Sequence, residues 1–270
     1  MHIIHFESPE QRRLLGCPNE DGTARVLAGD LYAGSLAETG ETSPIQRLLA
    51  PIEPCNIFCI GLNYRAHAAE TGVAIPEYPV VFMKPTTTVV GPGDPIRLPL
   101  ACEHGPEVDY EAELAVVIGH KARDVSAEQA LDYVLGYSCA CDVSARRWQK
   151  HGGGSQWIRG KSFDSFCPLG PTLVTADEIT DPQELALSCR VNGQTLQQGS
   201  TADMIFSVAE LIAFLSRDTT LLPGTLLLTG TPPGVGFARK PPVFLTDGDR
   251  VEVEIGSIGV LSNPVAGVRF

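Results

Sequence analysis

At 270 residues, 43% hydrophobic and 19% charged, the chain can bury one large core with room for a small appended domain. A formal net charge of −12 argues against nucleic acid as a partner, because phosphate-backbone binding relies on clustered Lys and Arg that release counterions. Met1 to Pro9 holds no cationic region followed by an apolar stretch, and no later run reaches the roughly 18 apolar residues that span a bilayer. Neither export nor a membrane partner is expected. The eight cysteines include no paired Cys-x-x-Cys knuckles of a structural zinc site, and several sit in apolar runs as small hydrophobes. They read as reduced thiols and give the expectation of a cytoplasmic location.

In chain order, the first 50 or so residues are turn-rich, as in Cys17-Pro18-Asn19-Glu20-Asp21-Gly22, and close on a short helical pattern at Ile45-Gln46-Arg47-Leu48-Leu49. A small N-terminal cap over residues 1–53 is expected, with Pro51 to Pro54 as linker and a catalytic domain over residues 54–270. Short β-branched runs then recur at Ile57 to Ile60, Val80 to Met83, Leu114 to Ile118, Thr172 to Val174, Leu226 to Thr229 and Val251 to Ile255. Two amphipathic helices are predicted, Ser126 to Val134 and Ser207 to Ser216. Without internal repeats or regular βαβ alternation, a doubly wound parallel sheet is disfavoured, and the fold class is mixed with strands dominant.

The strongest chemical signal is Val108-Asp109-Tyr110-Glu111-Ala112-Glu113-Leu114-Ala115-Val116-Val117-Ile118. Strand alternation puts Glu111 and Glu113 on one face, two residues apart. One reading is the exposed face of an amphipathic strand, which suits Val251-Glu252-Val253-Glu254-Ile255, where polar and apolar residues alternate throughout. After Glu113, however, five residues are apolar on both faces, which implies burial and leaves two like charges in need of a cation. An oxygen-only site suits Mg²⁺, Mn²⁺ or Ca²⁺ better than zinc. Asp142, which follows the largely apolar run Tyr133 to Cys141, is the candidate third ligand; its alternative role is a helix N-cap.

Gly61-Leu62-Asn63-Tyr64-Arg65-Ala66-His67-Ala68-Ala69-Glu70 follows an apolar strand and leads to Gly72, a natural helix stop. His67 and Glu70, three apart, are neighbours on one helix face and can form a base and its orienter. Spacing alone favours the plainer reading, a surface histidine beside a glutamate on a short, polar helix.

Together with Glu111-x-Glu113, these residues form part of an ordered set: Gly61-Leu62-Asn63-Tyr64 with His67 and Glu70, Asp142-Val143-Ser144-Ala145-Arg146, Gly160-Lys161-Ser162-Phe163-Asp164, and Thr229-Gly230-Thr231-Pro232-Pro233-Gly234-Val235-Gly236. The set resembles the fumarylacetoacetate hydrolase family over about residues 54–270. The segments from Gln156-Trp157 to Pro171 and from Pro232 to Leu245 look closest to the branch called fumarylacetoacetate hydrolase domain-containing protein 2. The resemblance implies an α+β, mainly β fold, a mixed β-roll/β-sandwich with a few flanking helices and a small N-terminal domain, and a homodimer. It also implies that Glu111, Glu113 and Asp142 bind Mg²⁺ or Mn²⁺, that a small 2-oxo acid chelates the ion, and that His67 and Glu70 lie on a lid over it. Lys161 is then a catalytic cation, and Asn63, Tyr64, Arg146, Gln149 and Thr231 are substrate-binding positions. A metal-stabilised enolate is the common element of the implied chemistry, with C–C hydrolysis of an acylpyruvate as the first reading. Oxaloacetate enol–keto tautomerisation, decarboxylation or isomerisation on the same site is the alternative, and a non-catalytic 2-oxo acid binding protein is the alternative of another class.

One departure bears on substrate: acylpyruvate-cleaving members often carry Arg where Leu62 stands. Two nucleotide-binding readings fail. Gly154 to Ser162 looks like a P-loop, but its first glycine is one residue too far from Gly160-Lys161 and no buried strand precedes it; Thr229 to Gly236 has two prolines inside the turn and lacks the helix of a dinucleotide fingerprint.

Overall fold

The computed structural model describes residues 1–267; the end of the domain expected over 54–270 therefore lies outside the described residues. Residues 2–49 fold into strands β1 (His2–Glu7), β2 (Arg13–Pro18), β3 (Thr23–Ala28), β4 (Ala37–Pro44) and β5 (Arg47–Leu49). Next come β6 (Asn56–Gly61), helix α1 (Arg65–Thr71), β7 (Val80–Lys84) and the short strands β8 (Val89–Val90), β9 (Ile96–Arg97) and β10 (Val108–Asp109). The central strands are β11 (Ala112–Ile118), β12 (Val134–Cys141), β13 (Ser144–Ala145) and β14 (Cys167–Thr175). The chain continues through β15 (Ala186–Val191), β16 (Gln194–Ser200), helix α2 (Val208–Ser216), β17 (Thr225–Leu228), β18 (Arg250–Ile255) and β19 (Gly259–Ala266). The fold is mainly β.

A 12-stranded sheet runs β4-β3-β2-β1-β14-β12-β11-β17-β6-β7, with β5 beside β1 and β8 beside β14; a 5-stranded sheet runs β16-β15-β18-β19-β9. β11 is buried along its whole length because its alternate residues enter two different cores. Leu114, Val116 and Ile118 pack in the larger core between the two sheets, with Val253 and Ile255 of β18. Ala115 and Val117 point the other way, into a second core with Cys59, Leu169, Leu226 and Leu228. Glu113 shares the alternation of that second set, so it sits where an apolar core ends.

Three sequence expectations differ from the structure. Ile45 to Leu49 forms no helix; five residues cannot carry the cost of nucleating one, and Arg47–Leu49 pairs with β1 instead, His5 opposite Leu49. Ser126 to Val134 holds only a 3₁₀ turn at Ala130–Tyr133, because Val134 is taken into β12 opposite Ile118. The turn-rich N-terminus is built of paired strands, and β1 joins β14 through His2 opposite Val174. α2 forms as expected: Ser207 caps it in a full capping box with Glu210, and Val208, Leu211, Ile212 and Leu215 are buried.

Candidate active site

The start of β11 and the ends of β12, β17 and β6 meet at one edge of the large sheet, because β11 runs antiparallel to β12 and β17 while β17 runs parallel to β6. The register puts Ala112 opposite Cys141, and the Asp142 amide donates to the Glu111 carbonyl at 2.8 Å. Glu111, Glu113 and Asp142 are thereby gathered: each offers an oxygen, and these oxygens lie within 4.8 Å of one another. Asp142 is fully buried and caps no helix. The glutamates at 252 and 254, read from sequence as an ordinary strand face, pair with Arg190 on that face.

The cluster is charged unevenly. Lys161 Nζ sits 2.7 Å from both Glu111 Oε2 and Asp142 Oδ2. Arg146 Nη2 lies 2.7 Å from Glu111 Oε1. Burial works to raise Glu111, but the Lys161 and Arg146 charges hold its carboxyl well below the usual carboxylate range. Glu113 has no ion-pair partner among the described residues; its Oε2 accepts only the Gly230 amide, at 2.7 Å. Burial, with Asp142 and Glu111 alongside, pushes Glu113 far above that range. A third carboxylate left in this state beside two others fits a divalent cation, which would remove both burdens at once.

The wall opposite the carboxylates comes from α1. His67 is buried, and its Nδ1 lies 3.1 Å from Glu70 Oε2, leaving Nε2 without a protein partner among the described residues. The helix stops at Gly72, whose φ of 67° is left-handed. Glu70 in turn accepts from the Gly234 amide, at 2.9 Å to Oε1 and 3.1 Å to Oε2.

The loop Thr229 to Gly236 thus uses backbone amides to hold carboxylates: Gly230 holds Glu113, Gly234 holds Glu70, and Gly236 holds Asp109 Oδ1 at 2.8 Å. Gly236 has no room for a side chain, since a Cβ there would meet the Val243 carbonyl at 1.9 Å and Asp109 Oδ1 at 2.5 Å. Thr231 lines the cavity, and its hydroxyl donates to the Ala112 carbonyl at 2.9 Å. Gln149 also lines it and accepts from Arg146 Nη1 at 3.0 Å.

Two residues named from sequence as substrate contacts lie elsewhere. Asn63 is wholly buried and spends its amide on Phe206 and Thr229 carbonyls at 3.0 and 2.8 Å while accepting from the Phe206 amide at 2.9 Å, so it straps two loops together. Tyr64, the N-cap residue of α1, is buried as well and does not line the cavity. Conversely, two site residues escape the sequence reading. Asp109 anchors Arg146 Nε at 2.8 Å, and Lys84 Nζ lies 2.7 Å from Asp142 Oδ1 while donating to the carbonyls of Val143, Lys161 and Phe166. The only signal for Lys84 is a lysine closing the apolar strand Val80-Val81-Phe82-Met83. The cavity lined by His67, Glu111, Glu113, Asp142, Arg146 and Lys161 has a volume of about 250 Å³ and is walled on its apolar side by Ile60, Leu62, Phe82, Trp157 and Phe237.

A family model of the fumarylacetoacetate (FAA) hydrolase C-terminal region matches residues 56–266. The chain belongs to the fumarylacetoacetate hydrolase family. It is an enzyme of that family. Among its relatives, the oxaloacetate tautomerase of Xenopus laevis is 54% identical over 219 residues, 81% of this chain and 68% of the relative. A human oxaloacetate tautomerase is 49% identical over 241 residues, 89% of this chain and 74% of its own length. Among solved structures, a 2-hydroxyhepta-2,4-diene-1,7-dioate isomerase from Mycobacterium marinum superposes with a TM-score of 0.84 at 42% identity, covering 99% of this chain and 98% of that one. A fumarylacetoacetate hydrolase from Exiguobacterium antarcticum gives 0.84 at 37% identity, covering 99% and 100%. The Xenopus, rat and human relatives are mitochondrial by name, which overturns the cytoplasmic expectation. That expectation rested on unpaired cysteines, and a free thiol marks a reducing environment without marking an address.

Proposed function

We propose that this chain interconverts the enol and keto forms of oxaloacetate, using Glu111, Glu113 and Asp142 to hold Mg²⁺ or Mn²⁺, with Ca²⁺ the poorer fit to so tight a carboxylate cluster. The observation that carries the reading is the identity of about half the aligned residues with oxaloacetate tautomerases over most of both chains. Chelated by the 2-oxo acid, a bound cation would supply Lewis acidity that favours negative charge on the 2-oxygen.

The protein's part is proton transfer. In the ketonising direction C3 gains a proton and the enol oxygen loses one. His67, its Nδ1 tied to Glu70, presents Nε2 to the cavity and is the group that carries that proton between the two atoms. Glu70 fixes the tautomer, and the Gly234 amide fixes Glu70. Lys161, held by two carboxylates, adds fixed positive charge where the substrate oxygen becomes negative. Trp157, Phe82 and Phe237 line the cavity with apolar surface, which would limit water at the reacting carbon.

A His–Glu pair also activates water, which keeps acylpyruvate hydrolysis as the second reading; Leu62 in place of Arg disfavours it. The deciding experiment follows enol oxaloacetate, acetylpyruvate and pyruvate in parallel, with Mg²⁺ and after chelation. Metal-dependent enol decay without pyruvate formation is expected, and His67→Ala should abolish it while leaving Mg²⁺ binding intact. Loss of acetylpyruvate instead would replace the tautomerase with the hydrolase, and silence in every channel would leave a binding protein.

A further inference from the structure

A C4 dicarboxylate brings a second carboxylate, and most cations at the cavity are already engaged. Lys161 is bound to Glu111 and Asp142, Arg146 to Asp109 and Glu111, and Lys84 to Asp142 and three carbonyls. Each of these bonds belongs to the end of the site that holds the 2-oxo acid. The residue after Gly61, where an arginine would supply another cation, is Leu62, whose side chain adds apolar wall.

Lys150 differs. It lines the same cavity from the single turn of π-helix Trp148–Gly152, is exposed, and has no acidic partner among the described residues. Its ammonium is nonetheless positioned, 4.4 Å from the centroid of the Phe237 ring. The Arg146 guanidinium lies 4.4 Å from the same centroid, and Arg146 touches Glu111. One aromatic ring is therefore shared by the engaged cation at the carboxylate cluster and the exposed lysine. Phe237 is itself fixed, since its backbone amide donates to Asp109 Oδ2 at 3.0 Å.

Resting on the dicarboxylate reading above, we infer that Lys150, steadied on Phe237, receives the distal carboxylate of the substrate and sets the preference for dicarboxylic over monocarboxylic 2-oxo acids. The pairing adds a charge-assisted hydrogen bond at the far end of the ligand, away from the reacting C3, so it acts on binding and leaves the proton transfer alone. An exposed lysine is free to do this because accepting a carboxylate breaks no existing ion pair.

The test uses ligands that are not turned over. Malate and lactate share a 2-hydroxy acid end and differ by the distal carboxylate, so calorimetric titration of the Mg²⁺-loaded full chain isolates that group. Wild type should bind malate about tenfold more tightly than lactate, about 1.4 kcal/mol. Lys150→Gln should erase the difference by weakening malate alone, Lys150→Arg should restore it, and Lys150→Glu should reverse it. With oxaloacetate, Lys150→Gln should raise KM about tenfold and leave kcat unchanged. Equal affinity of wild type for malate and lactate, or a malate preference that survives in Lys150→Gln, would overturn the assignment. A malate preference that Lys150→Gln erases, in a protein without any tautomerase activity, would instead remove the tautomerase reading and leave Lys150 as a dicarboxylate clamp.

Discussion

On the proposed reading, Glu113 serves cation binding at the expense of folding. Its carboxyl is buried beside two other carboxylates and titrates far above the ordinary range. Such a group stays protonated in the folded chain after its unfolded counterpart has ionised. Its contribution to stability is therefore full below the unfolded value of 4.5 and is lost as pH rises from there through its own raised value. Glu113→Gln should raise the melting temperature measured in chelator at neutral pH and, in the same protein, weaken Mg²⁺ by at least about tenfold in a calorimetric titration. A variant that kept wild-type Mg²⁺ affinity would remove Glu113 from the ligand set. This residue was legible in the sequence because strand alternation and the apolar run after it require no knowledge of the fold. Asp109 and Lys84 were not, since a polar residue at a strand end is unremarkable until its partner, 37 residues away for Asp109 and 59 for the Val143 carbonyl that Lys84 reaches, is brought beside it. Asn63 failed the opposite way: its motif drew attention to it, but its amide is used up by backbone.

At the scale of elements, the strands with strong apolar runs were readable, and the ones whose existence depends on a partner were not. β11 has enough apolar residues on both faces to declare burial by itself. β1 to β5 are short, interrupted by turns, and become strands through pairing with one another and with β14. The Ser126 segment had a helical pattern and lost it to the β12 ladder, a case of pairing overriding local preference. β17 carries the consequence for stability: Leu226 is fully buried in the second core, at the end away from the carboxylates, between Ile57 and Val117 of its neighbours. Leu226→Ala should cost about 2–5 kcal/mol in denaturant unfolding. Glu252→Gln, on the half-exposed face of β18, should stay within about 0.5 kcal/mol, and an equal loss at both would contradict the two-core architecture.

Over the whole molecule, the site is a seam where four strand ends, one helix and one glycine-rich loop meet, so a ligand there ties together segments far apart in sequence. A cation present at 100 times its Kd should add about 2.7 kcal/mol of stability. Melting should accordingly move up by about 5 °C with Mg²⁺ and return on chelation, whereas Mg²⁺-independent melting would speak against a resident cation. The β1–β14 junction has a consequence in time as well as in space. Met1 and Thr175, joined at that junction, are 174 residues apart in the chain. On a ribosome moving at ordinary speed, β1 waits roughly 10–35 s for β14 to be made. Throughout that interval β5 can already cover His5–Glu7, while the His2–Ile3 end of β1 stands unpaired beside the nascent polypeptide, so the stretch of synthesis that a chaperone would guard runs until β14 emerges.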